Sequence, residues 1–333
     1  MTSAPRSSRS QILNLALFAL GFGLLGLVIY LKRDDLRKVF AKPVDYRLFG
    51  FGLVIYLVAL MITFVRWHRL VLAQGLDFSL KDAIRLGFIG NVFNLVIPGA
   101  VGGDVIKAAF LGRMQPDKKP QAWASMILDR ILGLLGLFLL AGIAGAIAWR
   151  TASPEVRVLI LLIWGALLVG FTALGVAFSP GLYRPLNRLV AGRGKLEAVV
   201  AKLESIGMAY RERIGLVVAM LGVATFVHAL YVLAFYSASR ALFGDDLPTL
   251  AQHYLMVPLV LFTTAVPIPF GAIGFVEGVS DRLFEMVHHK EGAIAMLAFR
   301  VLMYGSGIVS ACVYLANLRQ VRDLRKNGEE EKA

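Results

Sequence analysis

The stretch IPGAVGGD (Ile97–Asp104) interrupts a run of apolar residues that would otherwise form one long helix. Proline removes a backbone donor and clashes with the preceding turn, and glycine is the next least favourable residue in a helix. A second stretch, VPIPFGAIGFVE (Val266–Glu277), interrupts another apolar run and also ends in a carboxylate. Each stretch therefore predicts two short helices joined by irregular backbone.

The composition around these breaks is typical of an integral membrane protein. Of the 333 residues, 58% are hydrophobic and 17% are charged, whereas soluble domains have about 45–50% apolar and about 25% charged residues. The net charge of +13 indicates basic cytoplasmic loops that face anionic lipid rather than a nucleic-acid partner. Because Cys312 is the single cysteine, a disulfide framework within the chain is excluded.

Six apolar segments are long enough to cross a bilayer as single helices. They comprise residues 11–31, 47–65, 122–149, 156–178, 214–242 and 292–317. Arg6 and Arg9 precede the first segment, but no small-residue cleavage site follows it, so we interpret it as a retained helix. We expect residues 1–10 to be a cytoplasmic N-terminal segment, 11–318 a transmembrane domain and 319–333 a cytoplasmic tail.

The two broken regions, residues 82–113 and 250–287, do not fit single spanning helices. The arm over residues 82–97 would be about 24 Å long, shorter than the roughly 30 Å hydrocarbon core. Irregular backbone at membrane depth is tolerated only where it is buried in protein or lines a wet cavity. We therefore predict two re-entrant pairs of half-helices, each of which enters and leaves the membrane on one side.

The distribution of Lys and Arg predicts the orientation of these segments. Residues 184–213 contain seven basic residues and the tail after residue 317 contains five, so we place both in the cytoplasm. Residues 66–81 are also placed inside, and residues 195–213 are predicted to form an amphipathic interfacial helix. The loop 32–47 disagrees with this scheme, because it would lie outside with six Lys and Arg.

The two breaks share a pattern that indicates an internal repeat. Gly99–Gly102 and Gly271–Gly274 are nearly the same tetrapeptide, and each is followed by a carboxylate and then by a span with one arginine, Arg130 or Arg300. We predict two units of opposite topology, since inverted repeats with discontinuous helices are typical of transporters that bind their substrate near the midplane. Chance recurrence in a chain with 33 glycines is the alternative.

Six ionisable residues of the predicted membrane segments are candidates for a site, because an ionisable residue costs at least about 2.5–3.5 kcal/mol there and usually faces the bundle interior. They are Asp104, Lys107, Asp129, Arg130, Glu277 and Arg300. A structural interpretation is that acids and arginines pair across the interface between the units. A functional interpretation is that half-helix N-termini, glycine amides and arginines bind an anionic group such as a lipid phosphate. Asp104 or Glu277 would then be a charge partner or a proton site.

The remaining polar residues do not predict chemistry. His228 and His253 are isolated in apolar segments, and neither has the spacing of a metal site. We find no arrangement of nucleophile, base and orienting group. The sequence therefore predicts neither an enzyme nor a cofactor.

Four motifs follow one another along the chain, namely Arg66–Leu70, Asn91–Asp104, Leu128–Arg130 and Pro269–Glu277. Together they resemble the flippase-like transmembrane domain of the lysylphosphatidylglycerol synthase/flippase family, over about residues 12–320. The resemblance implies movement of aminoacylated phosphatidylglycerol between leaflets. Bifunctional members make that lipid from an aminoacyl-tRNA in a soluble C-terminal domain. Because this chain ends some sixteen residues after the last predicted span, we expect a stand-alone member without the synthase domain.

We therefore expect an all-α integral membrane protein with about six spanning helices and two oppositely oriented re-entrant pairs in an inverted repeat. Its expected function is to move an anionic or aminoacylated phospholipid, or a related envelope lipid, across the bacterial inner membrane, with both termini cytoplasmic. The family pattern has Arg where Lys107 stands, and Lys keeps the charge without the bidentate geometry. The residues expected to bind the headgroup are Asn94, Pro98, Gly99, Gly102, Gly103, Asp104, Lys107, Asp129, Arg130, Gly271, Gly274, Glu277 and Arg300.

Two other functions remain compatible with the sequence. An ion-coupled transporter of a small solute would have a closed central cavity without a lateral opening to lipid. A non-transporting scaffold of a lipid pathway would tolerate substitution of Glu277 and Arg130. The expected partners are membrane phospholipids and no nucleic acid. A second copy of the chain and a separate lipid-synthesising enzyme are left open.

Overall fold

The structure, a computed structural model, describes residues 44–96, 102–265 and 274–316, together with Tyr30 and Arg33. Within these ranges every regular element is helical. The helices are α1 (Tyr46–Ala73), α2 (Leu80–Val96), α3 (Gly102–Met114), a short 3₁₀ helix (Pro116–Lys118), α4 (Lys119–Ala148), α5 (Pro154–Ala177), α6 (Pro180–Val190), α7 (Lys195–Arg211), α8 (Ile214–Phe243), α9 (Leu250–Ala265), α10 (Phe275–Glu285) and α11 (Gly292–Ala316).

Five segments of the described chain are long and apolar enough to cross a membrane. They are Tyr46–Ala73, Pro116–Ala148, Pro154–Ala177, Ile214–Phe243 and Gly292–Val313. These segments match five of the six predicted spans, and the sixth, residues 11–31, lies outside the described residues. The prediction of an all-α, multi-pass membrane protein is confirmed. The central residues of both breaks, most of the loop 32–47 and the tail also lie outside the described residues.

The helix boundaries follow from short polar side chains and glycine. The Asp45 carboxylate accepts from two first-turn amides of α1, and Ser153 and Ser179 cap α5 and α6, which both begin with proline. Helix α10 begins after Gly274, whose φ of +85° favours glycine. The Glu277 carboxylate in the first turn of α10 accepts from the Gly274 N–H at 2.7 Å.

Helix α1 is longer than the predicted span of residues 47–65. The first part of residues 66–81, which the charge pattern places inside, belongs to this helix, because α1 continues to Ala73. Arg66 is only 5% exposed and forms an ion pair with Asp129. A basic residue held by a buried carboxylate looks the same in sequence as a basic residue in a loop, and this ambiguity shortened the predicted helix.

The short helices form two antiparallel hairpins. The outer ends of α2 and α3 meet where Gln115 Nε2 donates to the Asp77 carbonyl at 2.7 Å. The outer ends of α9 and α10 meet where the rings of His253 and Phe284 pack edge to face, with centroids 5.4 Å apart. Each broken region therefore begins and ends at the same end of the bundle.

The chain contains two units with one order of elements: long, short, short, long. Unit 1 is α1–α4 and unit 2 is α8–α11. Between units, α1 packs against α8, α2 against α11, and α4 against α9. When each helix is replaced by its counterpart in the other unit (α1 by α8, α2 by α9, α4 by α11, and the reverse), the same three packed pairs result. The first helices run antiparallel, because Asp45 N–H donates to the Ala241 carbonyl at 3.0 Å and Arg213 donates to the Leu72 carbonyl at 3.1 Å.

Helices α5, α6 and α7 connect the two units. The predicted helix over residues 195–213 corresponds to α7, whereas α6 is not predicted from the sequence, because the basic residues from 184 onward indicate a loop. Tyr210 of α7 is buried and donates to the Leu70 carbonyl at 3.2 Å. Burial raises the pKa of Tyr210 above its usual value, so the phenol remains a neutral donor.

Candidate functional site

Asp104 holds two cations at the start of α3. Its position in the first helical turn favours a carboxylate, because backbone N–H groups point toward the N-terminal end. Lys107 Nζ lies 2.8 Å from Asp104 Oδ1, one turn further along the same helix. Arg130 of α4 binds the other oxygen, Oδ2. The α2–α3 hairpin and α4 are therefore joined by one shared carboxylate.

A second ion pair joins α1 to α4. Arg66 Nε donates to Asp129 Oδ1 at 2.8 Å, and Arg66 Nη2 donates to the Asp129 carbonyl at 3.4 Å. The two side chains are 5% and 8% exposed. Asp129 and Arg130 are adjacent in sequence, so α4 carries one partner of each cluster.

Two glycines bring the backbones of the hairpin together. A Cβ on Gly103 would overlap the Gly90 carbonyl oxygen, and a Cβ on Gly90 would come within 3.0 Å of the Lys107 side chain. The Gly103 N–H donates to Asn94 Oδ1 at 2.8 Å, which satisfies an N-terminal amide of α3 from the neighbouring helix. Lys107 Nζ also lies 5.2 Å from the centroid of the Trp67 ring, where a cation–π contact forms.

These charged groups line a cavity of about 450 Å³. This volume is in the range of small-molecule pockets, about 300–1,000 Å³. The cavity lies between the two units, with contributions from α1, α2, α3, α4, α8, α9 and α11. Its polar lining comprises Tyr56, Thr63, Arg66, Asn91, Asn94, Asp104, Lys107, Asp129, Arg130, His228, Tyr231 and Thr264.

Among residues 44–96, 102–265 and 274–316, one wall of the cavity reaches the outer surface of a candidate spanning helix. Ile131 and Leu134 of α4 line the cavity, and they are 39% and 38% exposed. The Arg130 side chain beside them is 35% exposed, far more than Lys107 or Asp104 in the same cluster. The charged interior and the apolar outer face therefore meet along α4.

Unit 2 contains a similar ion pair that does not reach this cavity. Arg300 of α11 donates to Glu277 Oε1, and the two residues are 7% and 0% exposed. One turn after the acid, unit 2 has Ser280, whose hydroxyl donates to the Gly292 carbonyl at 2.7 Å, where unit 1 has Lys107. The expectation of pairing across the interface is wrong for these acids, since Asp104 and Glu277 each bind an arginine of their own unit.

The structure brings together part of the predicted headgroup site. Asn94, Asp104, Lys107, Asp129 and Arg130 line one cavity. Gly102 begins α3 and Gly103 packs behind it against α2. Glu277, Arg300 and Gly274 form the separate cluster at the start of α10, away from the described lining of the cavity. Pro98, Gly99 and Gly271 lie outside the described residues.

Several lining residues were not anticipated from the sequence. The charge pattern places Arg66 just beyond the second apolar segment, and His228 stands alone among apolar residues. Sequence spacing offers one usable signal. His228 and Tyr231 are three residues apart and share one face of α8, and Asn91 and Asn94 share one face of α2 in the same way. Periodicity cannot show that these two faces point into the same cavity.

The comparisons agree with this architecture of a multi-pass helical membrane protein. The model of the lysylphosphatidylglycerol synthase TM region matches residues 11–310, so the chain belongs to that family. A UPF0104 membrane protein from Pyrococcus horikoshii is 27% identical over 137 residues, which cover 40% of this chain and 41% of that protein. The chain therefore matches less than half the length of this curated relative. No solved structure matches the chain.

Proposed function

We propose that the protein moves a phospholipid with an anionic or aminoacylated headgroup between the leaflets of a membrane. The headgroup occupies the cavity that Arg66, Lys107 and Arg130 line, while the acyl chains stay in the bilayer. Family membership supports a lipid-related membrane role, and the charged cavity supports binding of a phosphate. The proposed activity makes and breaks no covalent bond.

The lateral wall of the cavity is the observation that carries this proposal. A small-solute transporter needs a cavity closed toward the lipid, whereas a lipid transporter needs a route from the bilayer to its polar site. Here Ile131 and Leu134 belong both to the cavity lining and to the exposed face of α4. Arg130, which is partly exposed at this edge, is placed to meet an entering phosphate.

The proposed membrane arrangement follows from the two hairpins and the antiparallel first helices. If α1 and α8 both span the bilayer, their opposite directions give the two units opposite topology, which is an inverted repeat. Because the outer ends of each hairpin meet at one end of the bundle, each hairpin then enters and leaves the membrane on the same side. With the basic segment 184–213 inside, we place the protein in the bacterial inner membrane with both termini in the cytoplasm.

The proposed function is tested by leaflet exchange in proteoliposomes. Fluorescent phospholipids are incorporated, and dithionite quenches those in the outer leaflet. Wild-type protein should expose the protected inner-leaflet pool of at least one anionic or aminoacylated lipid. Arg130→Ala should slow this exchange at least about tenfold, since an ionic hydrogen bond contributes about 1.5–3 kcal/mol.

The matched control is Arg240→Gln. Arg240 forms an exposed pair with Asp245, in which the side chains are 45% and 90% exposed. This variant should retain wild-type exchange, because exposed pairs contribute little. Equal exchange by Arg130→Ala and wild type would contradict the proposed site, and a folded wild type that moves none of the lipids would contradict the proposed function.

A further inference from the structure

Helices α6 and α7 form a further hairpin, the connecting hairpin, which lies between the candidate spans α5 and α8. Asn187 of α6 donates to the Glu204 carboxylate of α7 at 2.8 Å. Nearer the turn, the Gly192 N–H donates to the Glu197 carboxylate at 3.1 Å. Because the second contact is nested inside the first, the two helices run antiparallel. The connecting hairpin therefore has a base beside the spans and a tip at its turn.

The base of the connecting hairpin packs on the ends of two spans. Tyr210 of α7 is buried and donates to the Leu70 carbonyl near the end of α1. The Tyr183 hydroxyl of α6 donates to the Ala177 carbonyl at the end of α5, at 2.8 Å. A Cβ on Gly207 would come within 2.9 Å of the same carbonyl oxygen. The C-terminal half of α7 is therefore held on the bundle through the face that contains Gly207 and Tyr210.

The same face of α7 is apolar and exposed toward the tip. The stripe that contains Tyr210 continues there at helical spacing, through side chains that are each more than half exposed, namely Leu196, Val199 and Leu203. Leu189 of α6, near the turn, is also more than half exposed. Because one face of a straight helix keeps one direction, the stripe points toward the side on which the bundle lies. We call these four apolar side chains the hairpin tip.

Basic side chains flank the hairpin tip along the chain. Arg184, Arg188 and Arg193 are exposed, and residues 184–213 contain seven Lys and Arg against three Glu. Exposed apolar side chains beside basic ones are the pattern of helices that lie in the interface of an anionic membrane. Water is an unfavourable environment for the apolar stripe, whereas a layer of lipid phosphates complements the charge beside it.

We propose that the hairpin tip docks on the anionic surface of the surrounding bilayer, with its apolar side chains at the boundary between headgroups and acyl chains. Arg184, Arg188 and Arg193 bind lipid phosphates beside it. Since the connecting hairpin lies in a basic segment, the leaflet concerned is the cytoplasmic one in the proposed orientation. The inference concerns a surface outside the cavity and does not depend on which lipid the cavity binds.

Spin labels in lipid nanodiscs test the docking, because both faces of a nanodisc are open to the solution. In a Cys312→Ser background, Leu196→Cys places a label on the hairpin tip. Ser205→Cys places one on the opposite, exposed face of α7. With phosphatidylglycerol in the bilayer, the label at position 196 should be protected from a water-soluble nickel complex and accessible to oxygen. The label at position 205 should stay accessible to the nickel complex.

Removal of charge on either side tests the role of the anionic lipid. The ratio of docked to undocked tip should fall at least about fivefold in nanodiscs of phosphatidylcholine alone, and likewise in the double variant Arg188→Gln with Arg193→Gln. One basic residue near an anionic surface contributes about this factor. The matched control is Arg240→Gln, in an exposed pair at the opposite end of α8. It should keep the wild-type protection at position 196.

Three results would overturn the docking. Equal access of the nickel complex to positions 196 and 205 would leave a soluble protein as the occupant of the hairpin tip. Dipolar broadening between labels at position 196 would identify a second copy of the chain as the occupant. Equal protection in neutral and anionic nanodiscs would show that the basic residues do not bind lipid phosphates.

Leaflet exchange is measured on the same variants in proteoliposomes, which separates this inference from the proposed function. An accessible hairpin tip in a protein that exchanges lipid would overturn the docking alone. A protected hairpin tip in a wild type that moves none of the lipids would support the docking and contradict only the proposed function.

Discussion

At the scale of single residues, the site depends on charges that have been removed from water. Arg66 and Asp129 are almost fully buried, and Asp104 is shared by two cations. Pairing of this kind offsets desolvation without adding much net stability. Its larger effect is positional, because each ion pair fixes a side chain of α4 against α1 or α3.

The Arg66–Asp129 pair leads to a prediction about stability. Removal of either partner leaves a buried charge unpaired, so Arg66→Met and Asp129→Leu should each destabilise the protein by about 3–5 kcal/mol. The double variant should be less destabilised than the sum of the single variants. Thermal unfolding in detergent, followed by tryptophan fluorescence, measures the differences.

The control for this comparison is again Arg240→Gln, whose partner Asp245 is exposed. It should change the stability by less than about 0.5 kcal/mol. If the double variant lost as much stability as the two single variants together, Arg66 and Asp129 would contribute independently. Their ion pair would then not be a source of the protein's stability.

At the scale of helices, glycine determines how closely the first hairpin closes. Gly103 faces the Gly90 carbonyl, and Gly90 faces the Lys107 side chain. Close approach brings Asn94 to the first amides of α3 and brings Lys107 to the cavity. Gly90 and Gly103 therefore allow α2 and α3 to pack closely against each other.

A prediction at this scale compares two glycines. Gly103→Ala should separate α2 from α3, lower the unfolding temperature and reduce lipid exchange, because the added methyl overlaps backbone that cannot rotate away. Gly165→Ala in α5 has no atom within 4 Å of its added Cβ. It should leave stability unchanged or raise it by up to about 1 kcal/mol, the difference in helix propensity.

Both glycine variants are measured by thermal unfolding in detergent and by dithionite quenching. Equal behaviour of the two variants would show that the contact between Gly90 and Gly103 does not control the hairpin. A loss of stability in Gly165→Ala alone would instead indicate that the exposed face of α5 has a partner in the membrane.

At the scale of the whole molecule, contacts between the connecting segments place them at two opposite ends of the helix bundle. Gly75 and Lys118 meet at one end through a 2.6 Å hydrogen bond, and Arg213 reaches the Leu72 carbonyl at the same end. Asp45 meets Ala241 at the other end. In a membrane, these two ends would face opposite compartments.

Site-directed labelling tests this separation of the two ends. In a Cys312→Ser background, cysteines at the exposed positions Asp117 and Glu212 should react with an impermeant maleimide from one side of the membrane. A cysteine at Asp246 should react only from the other side. Labelling of the Asp117 and Asp246 positions from the same side would contradict the proposed arrangement of the first hairpin and α4.

The sequence alone determined the class of fold and most of its elements. Long apolar runs can be satisfied in a bilayer only as helices, so the spans that the structure describes were predictable to within a few residues, apart from the C-terminal part of α1. Proline and glycine located both breaks for the same reason, since they act on the local hydrogen-bond ladder. The charged residues near the breaks were also identifiable, because a charge in an apolar segment needs a structural or functional cause.

Only the tertiary structure decided which of these charges share a site. Asp104 and Glu277 occupy equivalent places in the two units, yet Asp104 lines a cavity with two cations whereas Glu277 is fully buried against Arg300. Arg66 and His228 join the cavity from helices distant in sequence. Periodicity gives the face of a helix but not the helix that it meets, because that choice depends on packing among all the helices together.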